Sequence, residues 1–108
     1  MKTEIPVFVA GARGLLAGEF LRLLAAHPTL RLAGAYSRSG AGPLTDCHPH
    51  LAGNSELRPL ELLAADLAPA LARGPVALVL ALNHGESAPA LQELRAALGA
   101  AAARLTVV

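Results

Sequence analysis

Ile5-Pro6-Val7-Phe8-Val9-Ala10-Gly11-Ala12-Arg13-Gly14-Leu15-Leu16-Ala17-Gly18 joins an apolar run, a glycine turn and the start of an amphipathic stretch. Continuous apolarity from Ile5 to Ala10 suits a strand covered on both faces, as in a parallel sheet. Gly11 ends the run. From about Leu15 to Ala26, Leu16, Phe20, Leu23 and Leu24 recur at helical spacing, while Glu19 and Arg22 point away, which predicts a helix. His27-Pro28 closes it, because the residue before proline disfavours helical backbone. His27 reads as a helix-end residue whose charge suits the dipole.

Working outward, Leu30 to Tyr36 reads as a second strand, and Ser37 to Gly42 as a polar, glycine-rich loop. Thr45 to Asn54 reads as irregular. Leu60 to Arg73 has helical composition, with Pro69 expected to break or kink it. Val76 to Leu82 is the clearest strand. Asn83-His84-Gly85 is the loop after it, and Ser87 is a plausible N-cap for a helix to about Leu98, with Leu91, Leu94 and Leu98 on one face. Arg104 to Val108 reads as another strand. The alternation predicts an α/β fold, a doubly wound parallel sheet with right-handed crossovers. The chain stops inside that last strand, so residues 1–108 are expected to be one domain cut off from a longer protein.

The bulk numbers agree with a folded, single-core unit. The chain has 108 residues, is 54% hydrophobic and 16% charged, and Ala and Leu dominate over the 3% aromatics. A formal charge of +1 supplies no field for a polyanion, so no nucleic-acid partner is expected. The single cysteine, Cys47, excludes an internal disulfide framework and a multi-cysteine zinc site. The apolar run after Met1-Lys2-Thr3-Glu4 is too short for a signal-peptide core, and no apolar stretch reaches the roughly 20 residues that span a bilayer. A cytoplasmic location and no membrane partner are expected.

Gly11, Gly14 and Ala17-Gly18 stand where a dinucleotide-binding fold of the Rossmann type places a pyrophosphate. Gly11 permits the tight turn, Gly14 lets the backbone approach phosphate, and Ala17 or Gly18 lets the helix pack close to the sheet. The helix N-terminus offers free N–H groups to the anion. No Gly-Lys-Ser/Thr follows, so this is not a P-loop. Sheets that bind NAD usually carry Asp or Glu at the end of the second strand. Here that place holds Tyr36-Ser37-Arg38-Ser39. An arginine between hydroxyls suits a 2′-phosphate, which points to NADP. Arg13 is a second candidate cation.

These residues resemble the N-acetyl-gamma-glutamyl-phosphate reductases of arginine biosynthesis, and equally the related reductases of the amino-carrier-protein lysine pathway. The resemblance runs through Val9 to Gly14, Ala17 to Leu24, His27-Pro28, Ser37-Arg38, Ala41-Gly42, His48-Pro49-His50-Leu51 and Leu80 to Gly85. It implies cofactor contacts from Gly11, Arg13, Gly14, Leu15, Leu16 and Ala17, a 2′-phosphate loop at Ser37 and Arg38, and a nicotinamide-side loop at Leu82, Asn83 and His84. The family usually has serine at Arg13, Tyr-Thr or similar at Leu15-Leu16, and proline at Asn83. The resemblance further implies an NADPH-dependent oxidoreductase that reduces an acyl phosphate to a semialdehyde through a cysteine nucleophile and a histidine acid/base. Both lie downstream of this segment, so no catalytic residue is assigned here and the segment alone is expected to be inactive. Family members form homo-oligomers largely through the second domain, which leaves this segment free to be a monomer.

Two other readings stay open: a similar cofactor domain of another dehydrogenase, such as an aspartate-semialdehyde type, and a non-catalytic nucleotide-sensing module. Cys47 beside His48 is a poor nucleophile pair, because catalytic partners are usually distant in sequence. Asp46, Cys47, His48 and His50 have metal-ligand types but lack the spacing of a closed site, so no metal is assigned.

Overall fold

The computed structural model of the chain describes residues 5–12, 15–38, 42–43, 56–82, 85 and 87–107. In chain order these form β1 (Ile5–Ala10), α1 (Leu15–Ala25), β2 (Leu30–Ser37), β3 (Gly42–Pro43), β4 (Glu56–Pro59), a 3₁₀ turn at Leu60–Leu62, α2 (Leu63–Arg73), β5 (Val76–Leu80), α3 (Ser87–Leu98), a second 3₁₀ turn at Gly99–Arg104, and β6 (Leu105–Val107). The sheet order is β3-β4-β2-β1-β5-β6. All pairings are parallel except that of β3 with β4. Without β3, the order is that of one doubly wound half in which the chain leaves β1 first to one side and then to the other.

Two apolar layers sandwich the sheet. On one face, Val7, Val9, Ala35 and Leu57 pack against Ala17, Leu21 and Leu24 of α1. On the other, Phe8, Ala10, Tyr36, Val76 and Leu78 pack against Leu63, Leu67 and Leu71 of α2 and Leu94 of α3. Burial of successive residues Val7 to Ala10 explains why β1 is apolar at every position rather than at alternate ones.

A bulge in β2 sets the layers in register. Val7 pairs with Leu32 but Phe8 pairs with Gly34, so Ala33 is an extra residue. Side chains alternate across a strand, and the extra residue inverts the alternation. Leu30 and Leu32 therefore share a face with Ala35, while Tyr36 goes to the α2 face. The Tyr36 ring lies over Gly34, where a Cβ would stand 2.7 Å from the phenolic oxygen. It also stacks on Phe8, with centroids 6.2 Å apart.

Several sequence expectations need correction. Leu23 is 62% exposed, not on the packed face of α1. That face is centred on Ala17, Leu21 and Leu24, and Leu23 lies about 100° away from Leu24 around the helix. Pro69 does not end α2, which runs through it to Arg73. Burial of Leu63, Leu67 and Leu71 outweighs the lost backbone hydrogen bond. β5 stops at Leu80 rather than Leu82, and Ser87 is the first helical residue of α3. His27 closes the end of α1 through its side chain, whose Nδ1 accepts the N–H groups of Thr29 and Leu30 at 3.1 and 3.0 Å. The strand β4 was not anticipated. Cys47, His48 and His50 lie outside the described residues.

Leu67 is fully buried between α2 and the sheet. Leu67→Ala is expected to lower stability by about 2–5 kcal/mol, read from urea unfolding midpoints, because a rigid sheet face collapses poorly into the cavity.

Candidate functional site at the carboxyl edge of the sheet

The carboxyl ends of β1, β2 and β5 meet at Gly11. Gly11 has φ of +87°, a conformation that L side chains rarely adopt. A Cβ there would stand 2.5 Å from the Ala81 carbonyl oxygen and 3.0 Å from the Leu82 nitrogen. Ala81 N–H in turn donates to the Ala10 carbonyl at 2.8 Å. The turn is held from the other side by β2, whose Tyr36 carbonyl accepts from both Gly11 N–H (2.8 Å) and Ala12 N–H (2.9 Å). Ala12 is completely buried. α1 then opens at Leu15 with no acidic side chain in its first turn, so no internal carboxylate competes for an anion at that end.

Beside this junction, on the α2 and α3 face, is a cavity of about 730 Å³. Ala10, Leu80 and Leu82 come from the strand ends at the point where the chain reverses its winding direction. Arg38 comes from the end of β2, and Pro59, Leu60 and Glu61 from the end of β4. Ala90, Glu93 and Leu94 of α3 close the far wall. Open α/β sheets bind ligands at this topological position. The cavity is chemically two-sided, with a guanidinium at one part and two carboxylates elsewhere on an apolar lining.

The structure brings together only some of the residues singled out from sequence. Gly11, Ala17 and Leu82 lie at the junction, and Leu15 and Leu16 contribute backbone to the start of α1. Ala17 is buried against the sheet, the close-packing role expected of it. Arg38 is exposed and lines the cavity, whereas Ser37 is only 4% exposed at the strand end. Arg13, Gly14, Asn83 and His84 lie outside the described residues. Sequence reasoning missed Pro59, Leu60 and Glu61, because it did not recognise the strand that delivers them. Among the described residues, no group of three or more His, Cys, Asp or Glu is placed to hold a metal.

A hydrogen-bonded triad stands behind the junction. Tyr36 Oη donates to Asp66 Oδ2 at 2.7 Å, and Arg58 donates to the same carboxylate through Nε (2.7 Å to Oδ2) and Nη2 (3.1 Å to Oδ1). Burial, then the bond to Asp66, raise the Tyr36 hydroxyl well above its ordinary pKa, so it remains a donor. Partial burial pushes the Asp66 carboxyl up, but the bonds from Arg58 and Tyr36 outweigh it and hold the group below its ordinary value. One residue thus links both structures: the Tyr36 carbonyl holds the glycine turn, and its side chain is tied to α2 and β4.

Comparisons with known proteins agree with this architecture. The family model for the NAD-binding domain of semialdehyde dehydrogenases matches residues 6–103. The chain belongs to that family. It is 43% identical over 91 residues to an N-acetyl-gamma-glutamyl-phosphate reductase of Salinispora tropica, covering 83% of this chain and 26% of that protein. A reductase of the same name from Stenotrophomonas maltophilia is 46% identical over 90 residues, covering 82% and 27%. The chain thus spans about a quarter of the length of these relatives. An engineered D-amino acid dehydrogenase, solved bound to NADP+, superposes with a TM-score of 0.54 at 19% identity over 97% of this chain and 36% of its own, a likeness of fold. The resemblance to N-acetyl-gamma-glutamyl-phosphate reductases read from the sequence motifs is therefore matched by the relatives' names, and the parallel α/β sheet by the fold.

Two outcomes are expected. Gly11→Ala should lower stability by about 2–6 kcal/mol in denaturant unfolding, since strain at positive φ adds to overlap with the Ala81 backbone. Because the Asp66 pKa is lowered on folding, the stability it contributes is present above the ordinary carboxylate range and is lost as pH falls through its folded value. Asp66→Asn should therefore be less stable than wild type at pH 7, with the gap between the two curves closing below about pH 4.

Proposed function

We propose that the chain is the NADP(H)-binding part of an N-acetyl-gamma-glutamyl-phosphate reductase, an oxidoreductase of arginine biosynthesis that reduces an acyl phosphate to a semialdehyde. The observation that carries the reading is Arg38. It lines the carboxyl-edge cavity from the end of β2, where folds that bind NAD place a carboxylate. A guanidinium there favours a 2′-phosphate over a bare ribose hydroxyl. The names of the relatives support the substrate class.

On this reading the cofactor supplies the hydride, and the residues of this chain bind and orient it. The N-terminal end of α1 would receive the pyrophosphate through its free backbone N–H groups, while the Gly11 and Ala12 N–H groups stay on the Tyr36 carbonyl; Arg13 and Gly14 follow them in the sequence. Arg38 and Ser37 take the 2′-phosphate end, and Leu82, Asn83 and His84 the nicotinamide side. Leu80, Leu82, Pro59 and Leu60 would offer the cofactor's rings an apolar wall. No catalytic residue is assigned within the chain, so the 108 residues alone are expected to bind cofactor and not to turn over substrate. Its partner is a small-molecule substrate in a cytoplasmic protein, homo-oligomeric in longer form. Among the described residues no helix is long and apolar enough to cross a membrane.

Side-by-side calorimetric titration with NADP and NAD tests the reading. NADP is expected to bind more tightly, and Arg38→Ala to weaken NADP by about tenfold to a hundredfold while leaving NAD within about twofold. Equal affinity for both nucleotides in the wild type would overturn the NADP assignment.

A further inference from the structure

A second cavity, of about 650 Å³, shares no lining residue with the first among the described residues. One wall is the α2 stripe Asp66, Pro69, Ala70 and Arg73, spaced i, i+3, i+4 and i+7 beside the buried Leu63-Leu67-Leu71 stripe. The facing wall is the sheet, with Arg31 and Tyr36 of β2, Arg58 of β4 and the Phe8 ring. The β2 bulge is what brings Arg31 and Tyr36, five residues apart, to the same face.

The charges of this cavity do not cancel. Among the described residues three arginines line it against one aspartate, an excess of two positive charges. Both oxygens of Asp66 are already taken by Tyr36 and Arg58. Arg31 and Arg73 have neither an ion-pair nor a hydrogen-bond partner among the described residues. Arg73 sits in the last turn of α2, where a cation complements the helix dipole. That end already has a donor, because Arg104 Nη1 reaches the Leu71 carbonyl at 3.1 Å. Two guanidiniums on separate rigid elements, over an aromatic and proline floor, match an anion with separated charges on a compact body.

We propose that this cavity is a second ligand site, for a small organic anion of at least two negative charges, phosphate or carboxylate, bridging Arg31 on β2 and Arg73 on α2. The site is independent of the cofactor reading, since none of its described residues lines the carboxyl-edge cavity. The volume is in the range of small-molecule sites.

Isothermal titration of the 108-residue chain with inorganic pyrophosphate and, separately, with citrate tests it. The variants are Arg31→Gln with Arg73→Gln, and, as the control, Arg95→Gln, an exposed arginine of α3 that is not among the described lining of either cavity. Arg31 and Arg73 are exposed, so their replacement opens no hole in the core, and circular dichroism checks that each variant keeps its fold. At least one probe is expected to bind, with affinity falling about tenfold or more in the double variant and staying within about twofold in Arg95→Gln. Binding of pyrophosphate alone assigns the site to phosphates, and of citrate alone to carboxylates. The proposal fails if neither probe binds at millimolar concentration, if the double variant keeps wild-type affinity, or if Arg95→Gln loses as much.

Discussion

The fold depends on how closely β1 and β5 approach at the turn after β1. The Ala81 carbonyl occupies the space that a side chain at residue 11 would need, and Gly11 adopts a backbone conformation open to glycine. That approach lets the β1–β5 pairing continue one step beyond the strand, through the Ala81 N–H to Ala10 bond. It also places the turn within reach of the Tyr36 carbonyl, which accepts two of its N–H groups. Three strands are locked together at one point, and that point is where the winding of the sheet reverses. The crevice for a ligand is thus a consequence of the same contact that closes the core.

The two faces of the sheet communicate through β2. Its extra residue moves Tyr36 away from the face of Leu30 and Leu32, which puts the phenol among the apolar side chains facing α2 and its hydroxyl on Asp66. Gly34 makes the room for that ring. A buried hydroxyl without a partner would be destabilising, and Asp66 supplies the partner while Arg58 satisfies the carboxylate. The cluster joins β2, β4 and α2 on the side of the molecule away from α1. β4 is only four residues long, and its pairings with β2 and β3 are reinforced by this side-chain link.

Charge is divided between the two cavities in different ways. At the carboxyl edge, among the described residues, Arg38 shares the lining with Glu61 and Glu93, so that part of the wall carries both signs of charge. On the other flank of α2, among the described residues, three arginines face the Asp66 carboxylate, whose oxygens are taken by Tyr36 and Arg58. The near-neutral formal charge of the chain conceals this separation, which is why composition excluded a polyanion-binding surface without bearing on local anion sites.

The apolar runs, the glycine turn and the helix that follows it were legible in the chain itself. β1 was read from Ile5 to Ala10 and has those limits, because burial on both faces demands unbroken apolarity. The arginine in place of an acid after β2 was legible for the same kind of reason: it is one residue type at one place in a known chain order. Glu56-Leu57-Arg58-Pro59 was not legible as a strand, since it has one large aliphatic residue and ends in a proline, and only pairing with β2 makes it extended. The path of α2 through Pro69, the inverted face of β2 and the meeting of Tyr36, Arg58 and Asp66 are likewise decisions of tertiary packing. The triad joins residues 8 and 30 positions apart, and local pattern carries no information about which distant side chains will share a face.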